Sequence, residues 1–260
     1  MQQNKLIVSM TSYPARIEGV ARVFHSILTQ RVSQQLYHLV LVLAIPEFPN
    51  KLADLPKSLQ LMAASGLIEI IWHPTNIKSH KKLIPTLLKY PDNPILVIDD
   101  DVLRPNGWLQ CFINDHAAHP TDIITGMVAQ YLDNGKFKMY PNREYGNTNY
   151  GTIVKNGRPA NGRGGTLYPP HTFTDERFFD EALFMSLTPN SDESWQFFFN
   201  WRDQKPIRLI SKQFNVSLFI EGTQEQPTAL WKVNHRNNGY DKIWQKITDY
   251  MGAQNAKFGR

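Results

Sequence analysis

Ile95-Leu-Val-Ile-Asp-Asp-Asp101 runs four aliphatic residues straight into three carboxylates. A short apolar run of this kind predicts a strand buried on both faces. The pattern recurs toward the N-terminus at residues 6–10 (LIVSM), 37–45 (YHLVLVLAI, stopped by Pro46) and 68–72 (IEIIW). Between these runs the spacing turns helical. Ile17, Val20, Ala21, Val23, Phe24, Ile27 and Leu28 share one face, residues 52–65 suit a second helix capped by Gly66, and Leu83, Ile84, Leu87 and Leu88 mark a third with Pro85 in its first turn. Strand and helix alternating in this way predict an α/β fold: a mostly parallel central sheet, helices on both faces, right-handed crossovers. Ligands of such sheets bind beyond the carboxyl ends of the strands, which is where the three aspartates fall.

The second half is less regular. Residues 122–128 (DIITGMV) predict a strand, 133–163 loops or short hairpins, and 178–185 and 192–201 helices. Residues 208–210 and 216–220 read as late strands, and 243–251 as a basic amphipathic helix. With no repeat, low-complexity tract or linker, one domain is expected over residues 1–260: about 1–105 as a nucleotide-binding half and about 106–260 as an acceptor half.

Composition narrows the class. Of 260 residues, 42% are hydrophobic and 20% charged, as in an ordinary soluble protein. The one cysteine, Cys111, excludes an internal disulfide and a cysteine-built zinc site and suits a reducing compartment. The polar start, residues 1–5, does not resemble a signal peptide, and no run approaches the ~20 apolar residues of a membrane span. A cytoplasmic location is therefore expected. A net charge of +5 suits an anionic partner, whether a nucleotide diphosphate, an acidic glycan or the cytoplasmic leaflet, and equally describes a mildly basic protein. Lys242, Lys246, Lys257 and Arg260 make the end basic, which fits peripheral contact with the inner membrane face or a solvated tail. No nucleic-acid partner is expected.

On an extended backbone Asp99 and Asp101 point one way and Asp100 the other. Three adjacent carboxylates repel one another unless a cation or several donors offset them. A hard divalent ion, Mg²⁺ or Mn²⁺, would do so while also binding phosphate oxygens and neutralising a departing diphosphate. The competing reading is a solvated acidic turn.

Four segments, in order, resemble bacterial glycosyltransferases of capsule and lipopolysaccharide assembly, enzymes of GT-A fold. They are Val8-Ser-Met-Thr-Ser-Tyr-Pro-Ala-Arg16, the stretch 81–101 ending in the aspartates, Gly164-Gly-Thr-Leu-Tyr-Pro-Pro170 and Thr188-Pro-Asn-Ser-Asp-Glu-Ser-Trp195. The resemblance implies a single GT-A domain that transfers a sugar from a nucleotide-diphosphate donor, UDP-sugar favoured, to a hydroxyl of a glycan or lipid-linked glycan. It places Thr11, Ser12, Tyr13 and Arg16 at the nucleoside, with Lys81 or Lys82 near the diphosphate. It gives Asp99 or Asp100 a role at the ribose and Asp101, with Asp99, the metal, which His235 would complete. Asp192 is the first choice for general base and Glu193 the second; both could instead simply complement a helix dipole. Gly162-Arg-Gly-Gly165 lacks the Gly-Lys-Ser/Thr of a phosphate loop. By resemblance it is an acceptor-side loop, in which Gly164 and Gly165 allow close backbone approach and Tyr168 offers a ring to a sugar, while Arg163 and His171 face an acidic acceptor. Two other classes remain open: a metal-dependent nucleotidyltransferase or phosphohydrolase, and a noncatalytic glycan-binding protein.

Overall fold

Strands that are apolar on both faces can lie only in the middle of a layered structure, and the chain builds its layers around them. The computed structural model describes residues 4–128, 130–133, 136–139, 150–154, 160–224 and 239–254. In chain order the first half gives β1 (Leu6–Thr11), α1 (Ile17–Leu28), β2 (Tyr37–Ala44), α2 (Lys57–Ala64), β3 (Glu69–His73), α3 (Ile84–Lys89) and β4 (Ile95–Val97). The second half gives α4 (Trp108–Ala118), β5 (Ile123–Thr125), the hairpin β6 (Gln130–Asp133) and β7 (Lys136–Met139), β8 (Thr166–Tyr168), α5 (Glu181–Leu187), α6 (Asp192–Arg202), β9 (Ile207–Leu209) and α7 (Gly239–Gln254).

Seven strands form one sheet in the order β3-β2-β1-β4-β8-β5-β9. β1 lies parallel to β2 and β4, β2 to β3, and β5 to β9. β8 alone runs against its neighbours, with Thr166 opposite Val97 and Tyr168 opposite Ile95. Its first residue therefore lies at the carboxyl edge of β4 and its last at the amino edge.

Period-two alternation splits the core into two layers. Val8, Met10, Leu39, Leu41, Leu43, Leu96 and Ile98 pack with Phe24 of α1, Leu59 of α2 and Trp108 and Phe112 of α4. Ile7, Val40, Val42, Ile95 and Val97 pack with Leu87 of α3, Phe184 of α5, Trp195 and Phe199 of α6 and Trp244 and Ile247 of α7. The expected α/β fold with a mostly parallel sheet and helices on both faces is what the chain adopts.

Local expectations differ at several places, and the helix expected over 178–185 is a 3-10 turn (Glu176–Phe179) followed by α5. The helix expected over 52–65 is split into a 3-10 turn (Lys51–Asp54) and α2. Pro56 is the break: it holds Leu55 extended (ψ 152°), as a residue before proline prefers. Helix α4 and strand β8 were not expected. Residues 216–220 are not a strand; Leu103 N–H donates to Leu218 O (2.8 Å) and Ile220 N–H to Asp101 O (2.8 Å), and Phe219 makes a single bridge to Val102. The last helix is longer than the 243–251 expected, and Trp244, Ile247 and Met251 bury its inner face. Lys257 and Arg260 lie outside the described residues. Among the described residues no helix is long and apolar enough to cross a membrane.

Candidate functional site

The ladder of β4 ends where Ile98 N–H donates to Ser9 O (3.0 Å), and the chain then turns at Asp100 and Asp101. That turn overrides simple alternation. Asp100 and Asp101 share a single Arg16 nitrogen, Nη1, at 2.9 and 3.1 Å, while Asp99 faces Lys82 (3.0 Å). Ser12 Oγ adds a bond to Asp100 (2.6 Å) and Gln224 Nε2 one to Asp101 (2.7 Å). Burial together with the neighbouring Asp99 and Asp100 charges raises Asp101 to about 6, despite Arg16 and Arg104. Asp100 is also raised by burial, against the pull of Arg16 and Ser12. Burial would lower Arg16, but the two aspartates outweigh it and hold the guanidinium above its ordinary value.

The 3-10 turn Lys78–Lys82 ties this edge to the second half of the chain. Lys78 Nζ donates to Asn190 Oδ1 (2.8 Å), and the buried His80 Nε2–H donates to Thr188 O (2.9 Å) with its ring stacked on Phe184. Both Lys81 and Lys82 are buried, with different partners. Lys81 pairs with Glu47 (2.5 Å) and Asn76 (3.2 Å), whereas Lys82 bridges Asp99 (3.0 Å) and Asp192 (3.1 Å). Burial disfavours the Lys82 ammonium, but Asp192, Asp99 and Glu193 outweigh it and hold its pKa well above that of an ordinary lysine.

Helix α6 begins with Ser191 as its N-cap, the hydroxyl accepting from Ser194 N–H (3.3 Å). Its first two residues differ sharply. Asp192 is buried, paired with Lys82 and bonded by Gln196 Nε2 (3.2 Å); burial would raise it, but Lys82 brings its pKa below the usual carboxylate value. Glu193 accepts Gly162 N–H (2.7 Å) and Asn161 Nδ2 (3.3 Å). Burial and the Asp192 and Asp99 charges raise it to about 7, more than Lys82 and the Gly162 amide can offset.

Within residues 161–165, close contacts at the three glycines leave no room for a side chain. A Cβ on Gly162 would lie 2.9 Å from Asp99 Oδ1 and 3.0 Å from Lys82 Nζ; one on Gly164 would meet Gly126 and Met127 at 2.6 Å. Gly165 adopts φ +86°, and a Cβ there would stand 2.6 Å from the Trp108 ring. Gly164 and Gly165 are thus buried against Trp108 and Gly126, so close approach serves packing at these two positions. Gly165→Ala should cost about 1–3 kcal/mol from overpacking alone, read as a lower urea midpoint with unchanged m.

Two acceptor-side expectations need correction. Tyr168 is 1% exposed, its ring against Phe173 and its hydroxyl donating to Gln196 Oε1 (2.8 Å), so it presents no open face to a sugar. His171 follows the antiparallel β8 to the far edge of the sheet, where it meets Asp92 (3.2 Å), away from the aspartates. Arg163 donates to Val216 O (2.9 Å) and Ser217 Oγ (2.5 Å). On the first loop Thr11 Oγ1 donates to Val42 O (2.7 Å), and the Arg16 guanidinium lies 5.8 Å from the Tyr13 ring centre.

The sequence reading missed Arg104, Trp108, Gln196 and Gln224. Arg104 and Gln196 had a positional signal, the first three residues beyond the aspartates and the second one helical turn after Asp192. Gln224 had none, because it arrives from a distant segment. His235 lies outside the described residues. Among the described residues no three His, Cys, Asp or Glu side chains converge as a ready-made metal cage. The donor set nonetheless suits a hard ion that keeps phosphate and water ligands and needs only one or two protein carboxylates, as Mg²⁺ does. Asp101, raised because its charge is incompletely offset, is the oxygen such an ion would relieve.

Among solved structures, the chain is similar to TarS of S. aureus (residues 1–349), at TM-score 0.55 and 14% identity over 80% of this chain and 58% of that one. The same protein in complex with UDP gives TM-score 0.55 and 13% identity over the same shares. The fold is GT-A. A third structure with the GT-A architecture, GalNAc-T7 with UDP, GalNAc and Mn²⁺, matches at TM-score 0.51 and 10% identity, over 80% of this chain and 43% of that one. The chain spans less than three-fifths of the length of these GT-A chains. No protein-family model and no curated protein sequence matches it.

Proposed function

We propose that the chain is a glycosyltransferase that moves a sugar from a UDP-sugar donor to a hydroxyl of a bacterial surface glycan. One observation carries this reading: the carboxyl edge of a GT-A sheet brings Asp99, Asp100 and Asp101 together with Asp192 and Glu193 of α6, joined through Lys82. UDP in the TarS and GalNAc-T7 structures supports the donor, and Mn²⁺ in the latter supports a divalent ion. Asp101 and Asp99, with His235 as a further candidate, would hold that ion. When bound, Mn²⁺ or Mg²⁺ supplies charge neutralisation for the departing diphosphate.

The chain's own groups divide the remaining work. Ser12, Tyr13 and Arg16 line the approach to the nucleotide, and Lys82 places a fixed positive charge between donor edge and acceptor helix. In an inverting transfer, Glu193 takes the acceptor hydroxyl proton as that oxygen bonds to the sugar's anomeric carbon and the bond to diphosphate breaks. Glu193 suits this task better than Asp192, because a base works best with a pKa near the working pH and Asp192 is held low by Lys82. Only ionised Glu193 accepts the proton, so turnover should rise with pH, reach half its plateau near 7 and stay level above it.

The decisive test is calorimetric titration with UDP, GDP, CMP and dTDP, each with and without Mn²⁺. Metal-dependent binding of UDP, lost in Asp101→Asn, is the expected result. No binding of any nucleotide would sink the donor site and move the weight to glycan binding alone; UDP-sugar hydrolysis without transfer would mark a phosphohydrolase.

A further inference from the structure

Arg104 is a guanidinium almost wholly removed from water, 3% exposed, three residues beyond the aspartates. Burying such a group is costly unless its donors are used. Its guanidinium carbon lies over the Trp108 ring, 4.9 Å from the ring centre. Nη1 donates to Arg163 O (2.6 Å) and Nη2 to Asp99 O (3.4 Å), while Nε has no partner. Its backbone N–H donates to Ser26 Oγ (2.9 Å), which anchors it to α1. The Trp108 Nε1–H donates to Gly164 O (3.1 Å), so ring and guanidinium grip consecutive carbonyls of the same loop.

That loop is tied at both ends to its neighbours, Asn161 N–H donating to Met127 O (3.2 Å) and Gly126 N–H to Gly165 O (2.9 Å), and bonded within. Gly162 N–H goes to Glu193, Arg163 N–H to Asn161 Oδ1 (3.0 Å), Gly164 N–H to Asn161 O (3.2 Å) and Gly165 N–H to Gly162 O (2.9 Å). Arg104 thus joins the backbone of the aspartate turn to the backbone of this loop through one side chain. A planar fork can hold two carbonyls at a fixed angle; an ammonium offers a point charge without that geometry.

We infer that Arg104 is a positioning residue: lying over Trp108, it locks the 161–165 loop to the aspartate turn and so sets where Glu193 stands relative to Asp99. The inference rests on the proposed roles of Asp99 and Glu193. It assigns Arg104 no contact with substrate. Its effect passes through the Arg163 and Asp99 carbonyls to the Gly162 amide, and from there to the Glu193 carboxylate. Misplacing a reacting group by about 1 Å can cost on the order of a hundredfold in rate.

The experiment compares Arg104→Lys, which keeps the charge but not the fork, with Trp108→Phe, which keeps a ring but not the donor. Asp115→Asn serves as the control: it lies on the same helix, and its carboxylate accepts Ser211 N–H (2.7 Å) away from the loop. The readouts are Tm, UDP affinity, kcat and KM for sugar transfer, and amide hydrogen exchange of residues 162–165. Both test variants should lose about tenfold to a hundredfold in kcat, with UDP affinity within about twofold of wild type and faster exchange across the loop. Asp115→Asn should lower Tm and leave kcat and loop exchange unchanged. If the two test variants lose only Tm, with kcat and loop exchange as in the control, Arg104 is a core residue and the inference is overturned. A wild-type protein that binds no UDP would instead overturn the donor reading, and the exchange rates would still decide whether Arg104 fixes the loop.

Discussion

Glu193→Gln should lower kcat for sugar transfer by about 10²–10⁴-fold while leaving UDP affinity nearly unchanged. The amide keeps one oxygen, enough for the shorter Gly162 N–H bond, gives up the 3.3 Å bond from Asn161 Nδ2 to the other oxygen, and cannot take a proton. The same substitution should remove the rise in activity near pH 7, since no group with that pKa remains at the acceptor hydroxyl. Steady-state kinetics across pH 5.5–8.5, about 1.5 units either side of that value, would show both effects. A variant retaining more than about a tenth of wild-type turnover, with its pH profile intact, would return the base role to Asp192 or remove it from α6.

Lys82→Met carries the largest expected loss of stability, about 3–5 kcal/mol, the range for breaking a buried ion pair from one side. The methionine fills the same volume but leaves Asp192, buried beside Glu193, with no cation. In the wild type Asp192 has a depressed pKa, so its pairing stabilises the fold above its unfolded value and is lost as pH falls through the folded one. In the variant the sign reverses. Burial without Lys82 raises the Asp192 pKa above its unfolded value, so the deficit should be full at neutral pH and shrink on acidification. Urea denaturation at pH 7.5 and pH 5, values chosen at about neutrality and near the carboxylate range, would reveal this. An equal deficit at both values would mean that the loss is packing and not charge.

The parallel half of the fold was legible because buried parallel strands are written as unbroken apolar runs, and the three aspartates end such a run. Pro56 also carried a readable signal, as the residue before a proline avoids helix. Helix α4 escaped notice because its buried face includes Asp115, whose carboxylate holds Ser211 N–H and breaks the apolar period. Three-residue β8 is too short to show alternation between Gly165 and Pro169, and only its pairing with β4 and β5 makes it a strand. The site divided along the same line. Asp99, Asp100, Lys82, Asp192 and Glu193 follow recognisable local patterns, and the structure brings them together. Gln224 enters through a contact between segments far apart in sequence, reaching Asp101 across 123 positions. Local pattern cannot encode such a contact, and the turn at Asp100 likewise defeated the alternation rule.

The reversed course of β8 also gives the molecule a back. The chain enters that strand beside the aspartates and leaves it near Asp92 and His171, both exposed on the opposite rim. Three residues at about 3.3 Å each separate the two rims along this strand. An affinity handle, a fluorophore or a solid support joined at Asp92 would hold the protein with its aspartate edge outward, behind the candidate site rather than across its entrance. The chain's one native thiol, Cys111, is only partly exposed and bonded to Ser211 Oγ (3.2 Å), which leaves an introduced cysteine on that rim as the more reachable point of attachment.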